Sequence, residues 1–333
     1  MNNRQNSSGG GSNRCIHTYD DIISLTNLLE AWKEFLKGKR NKRDVQEFQL
    51  HLMDNIISLH LDLKNKTYKH GGYHAFNISD PKPRNIHKAS VRDRLLHHAV
   101  YRVLYPYFDK TFIPDSYSCR LNKGTHKAIN QFRKFYWKVS KNNTKQCFIL
   151  KCDIKKFFAS IDHSILVAIL KKHIPDPDTI WLLSQITTSF HTTSGKGLPL
   201  GNLTSQLMVN IYMNEFDYYM KHTLKEKHYI RYADDFIVLT RNREYILTVY
   251  QYIVDFLHNK LKLEIHPDKV FIKTFSSGID FLGWVHFPNH RILRTTTKRR
   301  MLRNLYTNHS EETKASYLRM LKHGNAYKLR EMI

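Results

Sequence analysis

His228-Tyr229-Ile230-Arg231-Tyr232-Ala233-Asp234-Asp235-Phe236-Ile237-Val238-Leu239-Thr240 sets two adjacent acids between two apolar runs. Alternating and β-branched residues on both sides favour extended structure, so the stretch reads as strand, acidic turn, strand. A tight turn carrying two carboxylates presents hard oxygen ligands at the lip of a sheet, where a divalent cation can bind. Asp also favours turns for its own backbone hydrogen bonding, and an ordinary acidic hairpin gives the same local pattern. The rest of the chain has to decide between the two.

About eighty residues upstream, Phe148-Ile149-Leu150-Lys151-Cys152-Asp153 is a second apolar run ending in a carboxylate, followed by Ile154-Lys155-Lys156-Phe157-Phe158 and by Asp162 before an apolar helix. Asp162 is placed to cap that helix. Acids at the ends of two neighbouring strands can hold two Mg²⁺ ions roughly 3.5–4 Å apart, the arrangement that phosphoryl and nucleotidyl transfer uses. Mg²⁺ takes few protein carboxylates and leaves its other positions to water and phosphate, so Asp153, Asp234 and Asp235 suffice. The pattern is that of a polymerase palm.

The chain resembles the reverse transcriptases, and its blocks follow that family's order from about Tyr19 to the C-terminus. Arg92-Asp93-Arg94-Leu95-Leu96-His97-His98-Ala99, and Ser116-Tyr117-Ser118-Cys119-Arg120 with Lys123-Gly124-Thr125-His126, resemble the fingers blocks. Asp153 to Phe158 resembles the first palm block, Gly197-Leu198-Pro199-Leu200-Gly201-Asn202-Leu203-Thr204-Ser205-Gln206 the loop and helix under the templating base, Leu261 to Lys269 the block after the Asp pair, and Phe281-Leu282-Gly283-Trp284 the primer grip. Several ordered blocks are far more specific than one. Leu200 before Gly201 and Ser205-Gln206 at the end of the middle block depart from the commoner Gln-Gly and Ser-Pro. They resemble the reverse transcriptases of diversity-generating retroelements, as do Asn27 to Trp32, Gly38-Lys39-Arg40 and Asp80 to Arg84. Group II-like and prokaryotic defence reverse transcriptases share parts of this pattern.

The resemblance implies an α+β, right-hand polymerase fold. Its parts are a flexible tail over 1–16, N-terminal helices and fingers over 17–146, a palm over 147–287 and a short basic helical thumb over 288–333. It implies RNA-directed DNA synthesis with catalytic Asp153, Asp234 and Asp235, and metal contacts at these and Ile154 for two Mg²⁺, with Mn²⁺ as substitute. Phe158 stands at the steric gate against a sugar 2′-hydroxyl, with a core phenylalanine as the alternative. Lys82, Arg84, Arg92, Leu200, Gly201 and Lys269 are the other nucleotide-binding candidates. Arg94 resembles them, a surface ion pair or structural lysine is the alternative for each charged one, and Phe157 reads as core. Arg120, Lys123, Arg294, Lys298, Arg299, Arg300 and Arg303 are candidates for the nucleic-acid backbone. Implied partners are a structured template RNA, the cDNA/RNA duplex, dNTPs and an oligomer of a small basic accessory protein, with the chain cytoplasmic and prokaryotic or phage-encoded.

Composition points the same way. In 333 residues, 53 Lys and Arg against 29 Asp and Glu leave a formal charge of +24, which implies a polyanionic partner. A solvated lysine-rich surface is the alternative. Apolar runs fall short of the roughly 18 residues of a membrane span. Cys15, Cys119, Cys147 and Cys152 show no paired spacing and read as reduced thiols of a cytosolic compartment. The first fourteen residues are mostly Asn, Ser and Gly, without an apolar signal region.

Helical spacing is expected over Leu25 to Leu36, Val45 to Leu63, Ser90 to Phe108 and Thr125 to Val139. The palm is expected as strand Cys147 to Asp153, helices from His163, Asp178 and Thr204, the acidic hairpin, helix Glu244 to Leu261 and a strand after it. A non-catalytic RNA-binding scaffold would shed the three acids, and a palm-type nucleotide cyclase would lack fingers, primer grip and basic thumb.

Overall fold

A computed structural model describes residues 15, 17–79 and 83–333; Lys82 and residues 1–14 of the expected tail lie outside the described residues. In chain order the elements are α1 (Tyr19–Ile23), α2 (Leu25–Phe35), α3 (Arg43–Leu50), α4 (Leu52–Lys64), β1 (Tyr73–Ile78), β2 (Arg84–Ala89), α5 (Val91–Thr111) and α6 (Thr125–Val139). Then come β3 (Phe148–Asp153), α7 (Phe157–Ser160), α8 (His163–His173), α9 (Pro177–Thr188), α10 (Leu203–Tyr218), β4 (Tyr229–Tyr232), β5 (Asp235–Thr240) and α11 (Arg243–Leu261). The last are β6 (Phe271–Thr274), β7 (Ile279–Phe281), β8 (Trp284–His286), β9 (Arg291–Leu293), α12 (Thr295–Thr307), α13 (Glu311–Leu321) and α14 (Tyr327–Arg330). The fold is mixed α+β.

The chain divides into two compact units. One comprises the described residues of Met1–Ala75, His87–Lys110 and Asp162–Ile211, the other those of Phe76–Ile86, Thr111–Ile161 and Tyr212–Ile333. In the first unit, the expected single helix from Val45 to Leu63 is two helices, because the backbone at His51 leaves the helical region (φ −118°, ψ 41°). Cys15, grouped with the tail by sequence, is buried, and its N–H donates to the His173 carbonyl at 3.0 Å. Asp162 caps α8 by accepting from the Ile165 N–H at 3.1 Å.

The second unit holds a four-stranded sheet of order β4-β5-β3-β6. β3 and β5 are antiparallel and in register from Phe148 opposite Thr240 to Asp153 opposite Asp235. Both strands are near-continuous apolar runs because both faces are covered. Phe216 of α10 meets Phe236 on one face at 5.1 Å between ring centroids. On the other, Ile149, Ile237 and Leu239 join a cluster with Ile129, Phe132 and Tyr136 of α6 and with Phe281 and Trp284. Side chains alternate along a strand, so Asp153 and Asp235 share the face of Ile149 and Leu239.

After α11, Lys262 ends the helix in the left-handed region (φ 48°), and Pro267–Lys269 form a 3-10 turn ahead of the expected strand. The strand begins only at Phe271. The backbone of this connection is used otherwise: the His266 N–H donates to the Asp153 carbonyl at 2.8 Å, which secures the end of β3. No helix among the described residues is long and apolar enough to cross a membrane.

Candidate active site

Tyr232 pairs with Asp235, so Ala233 and Asp234 are the two central residues of a tight β-hairpin. Ala233 has φ +55° and Asp234 is outside the positive-φ region, the pattern of a type II′ turn. Glycine is usual at the first position, and an alanine there costs roughly 1–2 kcal/mol. The turn is held from two sides. The Ile154 N–H donates to the Asp234 carbonyl at 3.1 Å, and Nη1 of Arg231 donates to the Ala233 carbonyl at 3.2 Å.

Register brings Asp153 and Asp235 opposite one another, with Asp234 beside them on the turn. Burial first, and then the charges of Asp153 and Asp235, push the Asp234 carboxyl up to about 6. Burial likewise raises Asp235, against the opposing pull of Lys151. Lys151 lies two residues before Asp153 on the same face, and its Nζ sits 3.0 Å from Asp235 Oδ1, a diagonal cross-strand pair. Lys269, delivered by the 3-10 turn, donates to Asp153 Oδ1 at 2.9 Å.

Among the described residues, no group of three His, Cys, Asp or Glu side chains is drawn together tightly enough to hold a metal ion. In donor chemistry the three carboxylates fit a hard divalent cation, and their mutual repulsion is what such a cation relieves. In position, two of them are each engaged by a lysine.

From Asp235 a cleft of about 1150 Å³ runs past Asp280, Leu282, Gly283 and Trp284 to α12 and Met320. Its wall includes Arg84, Arg294, Arg299, Arg300 and Arg303. Lys298 lies on the other side of α12 and lines a separate hollow of about 520 Å³ with Ile292 and Tyr327. Arg294 is ion-paired to Asp280. Phe281-Leu282-Gly283-Trp284 forms the β7–β8 hairpin, with positive φ at both Leu282 (+49°) and Gly283 (+87°), as a type I′ turn requires. Trp284 is buried at its base.

The other candidates divide. Phe157 is buried and Phe158 partly exposed, meeting edge to face at 5.6 Å. Arg120 donates to the Ile113 and Ser116 carbonyls at 2.7 and 3.1 Å, and Lys123 to the Pro114 carbonyl at 2.6 Å, so both clasp their own loop. In the first unit, Arg92 and Arg94 are ion-paired to Asp62 and Asp44. There too, Gly201 has φ +104°, and the Leu200 carbonyl accepts the His87 N–H at 3.0 Å. Asn202 Oδ1 and Thr204 Oγ1 are buried beside them without a protein hydrogen-bond partner.

Two groups escaped the sequence reading. Lys151 could have been found by its two-residue spacing from Asp153. Arg231, fully buried and paired with the fully buried Asp217 of α10 at 2.6 Å, was signalled only as a charge inside an otherwise apolar strand.

The family model described as reverse transcriptase (RNA-dependent DNA polymerase) matches residues 69–286, from just before β1 to the end of β8. The chain is 23% identical over 258 residues to protein YkfC of Escherichia coli (strain K12), covering 66% of each. It is 23% identical over 272 residues to the group II intron-encoded protein LtrA of Lactococcus lactis subsp. cremoris, covering 61% of this chain and 44% of LtrA. It is 21% identical over 278 residues to the putative COX1/OXI3 intron 2 protein of Saccharomyces cerevisiae, covering 64% of this chain and 30% of that one. The chain thus spans 30 to 66% of the length of these relatives.

Proposed function

The chain belongs to the reverse transcriptase family, the RNA-dependent DNA polymerases, and from that premise we propose that it copies a structured RNA into error-prone cDNA for a diversity-generating retroelement. The polymerase part of this reading is carried by one observation: Asp153 and Asp235 are cross-strand partners at the lip of a sheet, with Asp234 in the turn between strands. In this reading Asp153, Asp234 and Asp235, with Ile154, hold Mg²⁺. Bound there, such cations would lower the pKa of the attacking 3′-hydroxyl and stabilise the leaving oxygen.

The chain's own residues do the rest. Lys151 and Lys269 neutralise Asp235 and Asp153, and Lys269 is placed to give a proton to departing pyrophosphate. Arg84, with Lys82, meets the triphosphate, and Phe158 excludes the 2′-hydroxyl. The basic cleft wall at Arg294, Arg299, Arg300 and Arg303 tracks the duplex backbone without reading sequence. The cleft hairpin at Leu282-Gly283 serves as the primer grip. In hand terms the four-stranded sheet is the palm, and α12 to α14 the thumb.

The retroelement subtype rests on Leu200-Gly201 and Ser205-Gln206. An apolar side chain at Leu200 supplies no donor or acceptor where many relatives carry Gln, and lost polar contact weakens the penalty on mispairs. The partners are then a structured RNA and a small basic accessory protein. A group II-like role is the second reading, favoured by the likeness to LtrA. Sequencing cDNA made with the cognate RNA and accessory protein separates them. Errors concentrated opposite template adenine, and reduced by Leu200→Gln, support the retroelement reading; errors spread evenly over four bases leave a reverse transcriptase and remove the subtype.

A further inference from the structure

We propose that Arg231 is a positioning residue that fixes the Ala233–Asp234 peptide, and through it the carboxylate of Asp234. The inference rests on the reading of Asp234 as a metal-holding carboxylate. Arg231 is fully buried three residues before Asp234, on β4. Its Nε and Nη2 donate to the two oxygens of Asp217 at 2.8 and 2.6 Å, and Nη2 also donates to Ser116 Oγ at 3.0 Å. The Tyr229 hydroxyl donates to Asp217 Oδ1 at 2.7 Å, which fixes the acceptor. The guanidinium plane is therefore set by groups outside the turn, and the remaining Nη1 is aimed at the Ala233 carbonyl at 3.2 Å. The backbone of Arg231 is held as well: its N–H donates to the Asp115 carbonyl and its carbonyl accepts the Tyr117 N–H, both at 3.0 Å.

The carbonyl that Nη1 reaches belongs to the central peptide of the turn. Turn types that differ by a flip of this peptide differ in the sign of φ at the residue after it, here Asp234. A flip therefore re-aims the Asp234 side chain while leaving the β4–β5 ladder intact. Alanine at φ +55° does not hold this geometry by itself, whereas glycine favours it. Arg231 supplies what the missing glycine would. Lysine cannot replace it, because an ammonium on a flexible stem lacks the planar fork that meets Asp217, Ser116 and Ala233 together.

The test is a double-mutant cycle on the full chain, read by steady-state primer extension on an RNA template. Arg231→Lys is expected to lower kcat ten- to a hundredfold, the scale of a misplaced catalytic group, with KM for dNTP and RNA affinity within about threefold of wild type. In an Ala233→Gly background the same substitution is expected to cost less than about threefold, since glycine holds the turn unaided. Equal losses in the two backgrounds overturn the brace, because a structural ion pair acts regardless of residue 233. Should Arg231→Lys fail to fold, Asp217→Asn replaces it, loosening the fork at constant shape, with the same expectation and the same refutation. Asp234→Ala is run beside them: inactivity with equal Arg231 losses removes the brace and leaves the polymerase site, whereas activity removes both.

Discussion

Replacing Asp234 with Asn should make the metal-free protein more stable at neutral pH, at the expense of activity. Burial and the neighbouring carboxylates raise this carboxyl from 3.8 to about 6. At about 1.4 kcal/mol per unit, that shift is a folding penalty of up to about 3 kcal/mol. The sign follows from proton binding. Between 3.8 and about 6 the folded chain holds a proton on Asp234 that the unfolded chain has lost. The group therefore costs stability fully above pH 6 and nothing below both values. Asn keeps the shape and carries no charge, so the variant should melt several degrees above wild type at pH 8 in chelator, at roughly 2–4 °C per kcal/mol for a domain of this order. The gap should shrink as pH falls through 6 and close by about pH 4. Millimolar Mg²⁺ should narrow it by raising the wild-type melting temperature, since a cation that binds only the folded state stabilises it. Differential scanning calorimetry across pH 4–8, with and without Mg²⁺, is the assay. A variant less stable than wild type at pH 8, or a gap independent of pH, would refute the reasoning that crowded, buried carboxylates store this strain.

Phe158→Ala should raise the ratio of kcat/KM for ATP to that for dATP, and an unchanged ratio in a folded variant returns Phe158 to a packing role. Gly324→Ala should lower the melting temperature and shift the emission of Trp284, because an added Cβ would sit 1.9 Å from its Cζ3. Overpacking of this kind costs on the order of 1–3 kcal/mol, and a variant with wild-type stability and emission would show that the wall yields freely.

Much of the fold was legible because its signals are local. Alternating and apolar runs set β3 and β5, and the spacing of Ala128, Ile129, Phe132, Tyr136 and Val139 set α6. Asp162 announced the start of α8. The break at His51 was not legible, because neither Gly nor Pro marks it. Nor was the π-helical turn Tyr219–Thr223 at the end of α10, which the continuous helical pattern hides. At the site, the acids were legible but their present partners were not. Lys151 is marked by its two-residue spacing from Asp153, but its reach to Asp235 depends on the cross-strand register, and Lys269 reaches Asp153 from a 3-10 turn that no spacing rule encodes. The pairing of Arg231 with Asp217 spans a helix and a strand. The basic residues of α12 were legible as a charged segment, whereas the division between Arg299, Arg300 and Arg303 on the cleft and Lys298 away from it follows from helix phase.

The polymerase assignment stands or falls on the carboxylates. Asp153→Ala and Asp234→Ala, each assayed for Mg²⁺-dependent DNA synthesis on a primed RNA template, should lose extension while RNA affinity, measured in parallel, stays near wild type. Appreciable cDNA from either folded variant would overturn the site.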